Sequence, residues 1–419
     1  MTLSTDKLFN MQKNTFNANL WVKIALINFC MVALAGITLR YKINFPLPFV
    51  NQKYLLHAHS HLAFTGWIAQ VLMALLVNYL QQHNINTTYK KYHWILWSNC
   101  FVGYGMFVSF IAQGYALFSI TFSTLSILVS YFFSFYLWRD LNKVTDRSYA
   151  PVWFKAGLVI WVVSSLGAFT LAYLMANRIS VQDYYFAAVY FFLHFQYNGW
   201  ILFACLGLLF HYLSNQHYIM PAGISKKLFM VMALTVGPAY LLSILWLKLP
   251  KTLHVLGSAA GVFQLVVLFY FVQLWTMVRK NTEERLPKIT RYLWTMAFIA
   301  FIIKILLQVL SVIPALSEFA FGFRPIVIGY LHLSFLGIIT FFILGYINQL
   351  LHKTGRGISG VAIGVFTFGV LAQEIVLMIQ GLEVMQFEPL PYAKIILLGT
   401  AIIMGTGMAW VTTSVYKIK

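Results

Sequence analysis

Three histidines stand within one helical turn and a half in the segment His57-Ala-His59-Ser-His61, and the residues after them are apolar. Imidazole in such surroundings is the commonest protein ligand for a transition metal and the usual proximal ligand of haem iron. On a helix of about 3.6 residues per turn, His57 and His61 share a face, whereas His59 is turned by about 200° from each. One such helix presents imidazole to two opposite sides and can ligate a group on each. His194, His254 and His332 sit singly in other apolar stretches. For any one of them the alternative is a hydrogen bond to a neighbouring helix, because an ionisable side chain in hydrocarbon is costly without a partner or a function. His83, His93, His217 and His352 fall in polar segments, with His211 close to one, and need no special role.

Two of the single histidines repeat a pattern set by the first cluster. The segments His61-Leu-Ala-Phe64-Thr-Gly66-Trp67, His194-Phe-Gln-Tyr197-Asn-Gly199-Trp200 and His332-Leu-Ser-Phe335-Leu-Gly337-Ile338 follow one rule. It reads His, apolar, small or polar, aromatic, any, Gly, bulky apolar. The copies are nearly evenly spaced, which predicts an internal repeat of four helices taken three times, over about 20–138, 152–278 and 290–415, with pseudo-threefold symmetry. The glycine suits close approach of membrane helices, and it also leaves room for a flat macrocycle.

The elements that must position these residues are membrane spans. Of the 419 residues, 60% are hydrophobic and 9% charged, which no water-soluble fold can hide. A span takes roughly 20 apolar residues. The hydropathy predicts an all-α polytopic protein of about twelve spans, at 20–39, 55–80, 92–113, 115–138, 152–175, 184–213, 226–247, 253–278, 290–313, 325–350, 358–380 and 391–415, forming a single integral membrane domain. The run after the polar first residues has no small-residue cleavage site and is expected to be a retained span.

Net charge is +19, but the basic residues fall in loops and form no nucleic-acid-binding patch, so nucleic acid is not expected as a partner. Most of the loop Lys and Arg share a side with both termini, including Lys7, Lys13, Lys90, Lys91, Arg147, Arg285, Lys353 and Lys419, which predicts cytoplasmic termini. In that topology the second, sixth, eighth and tenth spans enter from outside. His57, His59, His61, His194, His254 and His332 would then share one layer of the outer half. Cys30, Cys100 and Cys205 have no metal-ligand spacing and read as packing residues.

The segment His59-Ser-His61-Leu-Ala-Phe-Thr-Gly66 resembles the His–X–His haem-ligand helix of the haem–copper oxidase subunit I superfamily, especially its nitric-oxide-reductase members. His57-Ala-His59-Ser-His61-Leu-Ala-Phe and the loop His352-Lys353-Thr354-Gly355-Arg356 resemble segments of NnrS-like membrane proteins, which contain haem and copper. These matches cover about a fifth of the chain. The resemblance implies one or two haems, b-type, and copper, in a redox protein of a bacterial inner membrane that handles nitric oxide or oxygen. It implies His57, His59, His61 and His332 as haem ligands, with His59, His61, His194, His254 and His332 as the candidate metal set and Tyr197 as the candidate catalytic residue. One second-span histidine and His332 are expected to serve one haem. The departures concern copper. The seventh span lacks the superfamily's histidine pair, Tyr197 follows His194 by three residues where the superfamily has four, and the tenth span has one histidine where it has two.

Arg178 and Arg324, at the outer ends of the sixth and tenth spans, could bind haem propionates or simply snorkel to the interface. Lys304 and Glu374 lie deep in spans, where an ion pair is the plain reading and a proton path or propionate contact the functional one. The chain has no Cys-x-x-Cys-His, so electrons would come from quinol or a separate protein. Two other classes stay open: a twelve-span secondary transporter, and a haem-dependent sensor or assembly factor.

Overall fold

The computed structural model describes residues 15–417 apart from 86, 147, 219–222, 283–285, 353–354 and 387–390. Lys7, Lys13, Arg147, Arg285, Lys353, Thr354 and Lys419 of the charge pattern and loop motif therefore lie outside the described residues. The described residues form helices and no strand. Eleven helices are long and apolar enough to cross a membrane, or twelve if one bent pair counts as a span. They are α1 (Ala18–Asn44), α2 (Gln52–Gln82), α3 (Lys90–Gln113), α4 (Leu117–Leu141), α5 (Ala150–Ala176), α6 (Gln182–Asn215), α7 (Ile224–Thr235), α8 (Lys251–Arg279), α9 (Lys288–Leu310), α10 (Arg324–His352), α11 (Gly360–Glu383) and α12 (Ala393–Tyr416). A further short helix, Pro314–Gly322, precedes α10. The protein is an integral membrane protein of all-α class. Large apolar side chains such as Leu34, Phe101 and Leu117 stand 64%, 65% and 73% exposed, which suits a lipid solvent.

The seventh span departs from expectation. The sequence predicts one helix over 226–247, but α7 stops at Thr235 and a 3-10 segment, Pro238–Ile244, continues at a 51° bend. Pro238 has no N–H to give the ladder, and its ring crowds the carbonyl a turn earlier, so the helix breaks there. The turn between α3 and α4 is as tight as the sequence implies. Gly114 takes φ +63, and a Cβ there would meet the Tyr54 ring at 2.3 Å. Ser119 closes the turn by donating to the Gly114 carbonyl (2.6 Å) and accepting from the Ala116 N–H (2.9 Å).

The chain divides into two compact units, one of residues 1–146 and 401–419, the other of residues 147–400. In the first, α2 is the central helix. Its residues Val71 to Val77 are all at most 1% exposed, the signature of a helix surrounded by others. The cluster that ties α3 to α4 in this unit was not foreseen from the sequence. Asp140 is fully buried and accepts from Lys91 (2.6 Å), Thr87 (2.7 Å), Tyr92 (2.8 Å) and Lys143 (2.8 Å). Each carboxylate oxygen is satisfied, which is the condition for keeping a charge out of water. In the second unit α5 packs on α6, α9 on α10, and α8 on the 3-10 segment after α7.

Asp140→Ala removes the acceptor of the Tyr92 and Thr87 hydroxyls and leaves Lys91 without its counter-charge. We expect it to lower stability by about 3 kcal/mol, measured by thermal or denaturant unfolding in detergent, with Asp140→Asn recovering part of the loss.

Candidate functional site

Each of the three repeated histidine segments runs into a π-helical turn. The turns are Ala63–Ala69 in α2, Phe195–Ile201 in α6 and Leu333–Thr340 in α10. The π pattern bonds i to i+5, is found mostly as single-turn bulges, and frequently marks functional sites. Widening the helix displaces carbonyls from the ordinary ladder, and in hydrocarbon these need other donors. In the first unit Asn28 of α1 donates to the Gly66 carbonyl (2.7 Å) and Asn99 of α3 to the Thr65 carbonyl (2.9 Å). Tyr104 donates in turn to Asn28 Oδ1, and Asn99 to Gln70 Oε1 (2.6 Å).

The repeat glycines each face the preceding span. A Cβ on Gly66 would meet Leu62 of its own helix first (2.6 Å) and Asn28 Cβ at 3.6 Å, one on Gly199 would run into Ile160, and one on Gly337 would lie 3.1 Å from the Ala300 Cβ. The bulky residue after the glycine packs in the same direction. Trp67 stacks on Phe29 of α1 (4.6 Å, 7°), and Trp200 stacks on Trp161 of α5 (3.9 Å, 3°).

In the first unit the helix wheel is realised as the spacing requires. His57 and His61 face α3 and the turn after it: the His61 ring stacks on Phe110 of α3 (4.4 Å, 12°) and the His57 ring meets Tyr115 of the turn edge-on (4.7 Å). His57 Nε2 is buried with no hydrogen-bond partner. His59 turns the other way, towards α1, and its Nδ1 lies 2.9 Å from the Val32 carbonyl. A carbonyl only accepts, so Nδ1 carries the proton and Nε2 keeps its lone pair. That is the arrangement of a ligating histidine with its outer nitrogen anchored to the backbone. Gly36 leaves the room, since a Cβ there would come within 3.2 Å of His59 Cε1.

The second unit holds its histidines differently. His194 is 1% exposed and has both nitrogens engaged, Nε2 with the Val236 carbonyl (2.8 Å) and Nδ1 with Asn198 Nδ2 (3.1 Å). His332 Nδ1 is held by Gln373 of α11 (2.9 Å), with Glu374 Oε1 at 3.8 Å. A cavity of about 20 Å³ beside His194 is lined by Lys304, Gln308, Gln264 and Asn198, but by neither Tyr197 nor His254. Tyr197 instead hydrogen-bonds Tyr330 and packs against Phe335. Asn198, four residues on, shares the face of His194 and lies next to Tyr197, which is directed to Tyr330. His254, near the start of α8, is half-buried and away from this wall. Copper on His194 and His254 therefore does not fit, since His194 has no free lone pair and no second histidine shares the cavity among the described residues.

Lys304 is 4% exposed and donates to Gln308 (2.9 Å), one turn on. The expected ion pair with Glu374 is not formed, because Glu374 lies beside His332. Arg178 and Arg324 are both exposed. His211, expected near the surface, is 1% exposed and bonds Asn215 (3.0 Å), whereas His83 does lie at a helix end, 3.5 Å from Asp146.

In the first unit His57 has an orphaned buried nitrogen and His59 an anchored Nδ1, which leaves imidazole nitrogens of the kind that haem iron or a metal takes as ligands, one on each side of the helix. Sequence reading missed Asn28, Asn99 and Asn198, and a usable signal existed: neutral amides inside apolar spans, Asn198 within a repeat segment itself. No protein-family model matches the chain, and no curated protein matches it.

Gly199→Ala drives a Cβ into Ile160 at the π turn. We expect a loss of about 2 kcal/mol, largely recovered in the double variant with Ile160→Ala. Equal stability of Gly199→Ala and wild type on thermal unfolding would refute the close approach.

Proposed function

We propose that this chain is a haem-binding membrane protein that handles a small gas ligand, nitric oxide or oxygen, in a bacterial inner membrane with both termini in the cytoplasm. The observation that carries the reading is the imidazole cluster of α2, with His59 anchored through Nδ1 and His57 Nε2 buried without a partner. His59 would hold a group on the α1 side, and His57 and His61 one on the α3 side. His332 is the candidate of the second unit by its place in the repeat; its Nδ1 accepts from Gln373, so Nε2 would give up its proton on ligation. Bound there, a b-type haem supplies a redox-active iron with affinity for diatomic gases. The residues' own work is to orient imidazole nitrogens and to exclude water with Phe110 and Tyr115. Electrons would arrive from quinol or a separate protein.

A secondary transporter is the second reading, favoured by the break after α7 and the polar cavity beside it. Broken spans at the centre of the membrane form the solute and ion sites of many transporters.

The visible spectrum of the detergent-purified protein separates the two. A Soret band with sharp reduced bands is expected, lost or diminished in His59→Ala and His61→Ala and kept in His83→Ala. A colourless, metal-free preparation, or equal haem content in all three variants, overturns the assignment.

A further inference from the structure

The break in the seventh span takes the helical donor from the Val236 carbonyl, as the missing N–H of Pro238 does from Leu234. Tyr240 N–H, which would serve Val236 in a continuous helix, bonds the Gly237 carbonyl instead (3.1 Å). His194 Nε2 takes the Val236 carbonyl (2.8 Å). From that bond the rest of the cluster follows by donor and acceptor count. A carbonyl accepts, so Nε2 carries the proton and Nδ1 is an acceptor. Asn198 must then give its Nδ2 hydrogen to Nδ1 (3.1 Å), which leaves Asn198 Oδ1 as an acceptor. That oxygen is buried and has nothing to accept.

Across the same cavity the imbalance is reversed. Lys304 has more N–H bonds than partners: one goes to Gln308 Oε1 (2.9 Å), and the Phe301 ring lies at 5.9 Å. No acidic residue lines the cavity among the described residues, and His194 is the other titratable side chain on its wall. From α7 the wall takes Thr235 and Met232, from α8 Gln264 and Val267, and from the 3-10 segment Ala239, none of them charged. The space of about 20 Å³ admits one water molecule, which needs at least about 10–15 Å³ and two or more polar partners. A guest that both accepts from Lys304 and donates to Asn198 gives Lys304 a second acceptor beside Gln308 and the Asn198 oxygen its donor.

We propose that the second unit carries a proton-binding site at the break in its discontinuous span, made of Lys304 and one water shared with Asn198, and tied to the break through His194 and the Val236 carbonyl. The proton comes from and returns to bulk water. Binding forms the third N–H bond of Lys304 Nζ from its lone pair, and release restores that lone pair. Thr235 and Val236, at the C-terminal end of α7, line this cavity, and a helix C-terminus favours a cation. The protonated lysine thus stands where transporters with broken spans hold their coupling ion. The site does not depend on haem in the first unit.

Two measurements on the full chain in lipid nanodiscs test it. Millisecond radiolytic hydroxyl labelling oxidises buried side chains only beside bound water, and Met232, 6% exposed, lines the cavity. We expect Met232 to be labelled in the wild type and its labelling to fall at least about fivefold in Asn198→Leu, which removes one of the water's partners. Absent labelling in the wild type, or equal labelling in both, overturns the water. The thermal unfolding midpoint is then followed between about pH 5 and pH 9 for wild type and Lys304→Met, or Lys304→Gln should the former not fold. A difference between wild type and variant that changes with pH by several degrees is expected. A constant difference across the range means that Lys304 exchanges no proton and overturns the site.

Discussion

Inside a hydrocarbon layer, a backbone carbonyl released from its helix has to be given another donor, because no water is there to supply one. This constraint organises what surrounds the histidines. The π turn in α2 is held by two asparagines that reach across from α1 and α3 to the Thr65 and Gly66 carbonyls. The break after α7 is held by an imidazole from α6. The departures from regular helix and the polar residues deep in the spans are thus two halves of one arrangement. Each irregular turn specifies which neighbouring helix lies against it, and each buried amide or imidazole has a particular carbonyl to serve.

The same constraint separates the histidines into kinds that sequence treats alike. His194 is spent on the backbone, with no nitrogen left over. His59 uses a carbonyl only to fix its Nδ1, so the interaction orients the ring and leaves Nε2 with a lone pair. His57 shows what an imidazole looks like when no protein group is provided for it, its Nε2 buried among Phe110 and Tyr115 with no partner. A buried polar atom without a partner costs about 1–3 kcal/mol, and a bound group that uses the atom removes that cost.

The helices were largely legible because a span leaves a strong one-dimensional trace: a run of apolar residues of fixed length, closed by Lys, Arg or Gly. The observed ends of α2, α5 and α9 fall within a few residues of the expected ones for that reason. The opposite orientation of His59 against His57 and His61 was also legible, since it depends only on helical pitch. The break at Pro238 was written in the residue pair Gly237-Pro238, but mean hydropathy carries smoothly across it. The site assembled from Lys304, Gln264 and Asn198 was not legible at all, because its members come from three helices and are joined only by packing. Grouping Tyr197 with His194 failed for a different reason. It rested on the resemblance and on a shared depth in the span, and neither says which way a side chain turns.

The pairing of Trp161 with Trp200 has an optical side. Two indole rings lying parallel, 3.9 Å apart and within 3° of coplanar orientation, are close enough for their transition dipoles to mix. Light absorbed by either ring is then shared by both. A skew between the two dipoles within the parallel planes would give a paired positive and negative band in circular dichroism that isolated tryptophans lack. Both rings are deeply buried, and one belongs to α5 while the other sits in the π turn of α6. The second unit therefore carries a native chromophore whose signal depends on the contact between two particular spans, at the turn beside His194, without any label being introduced.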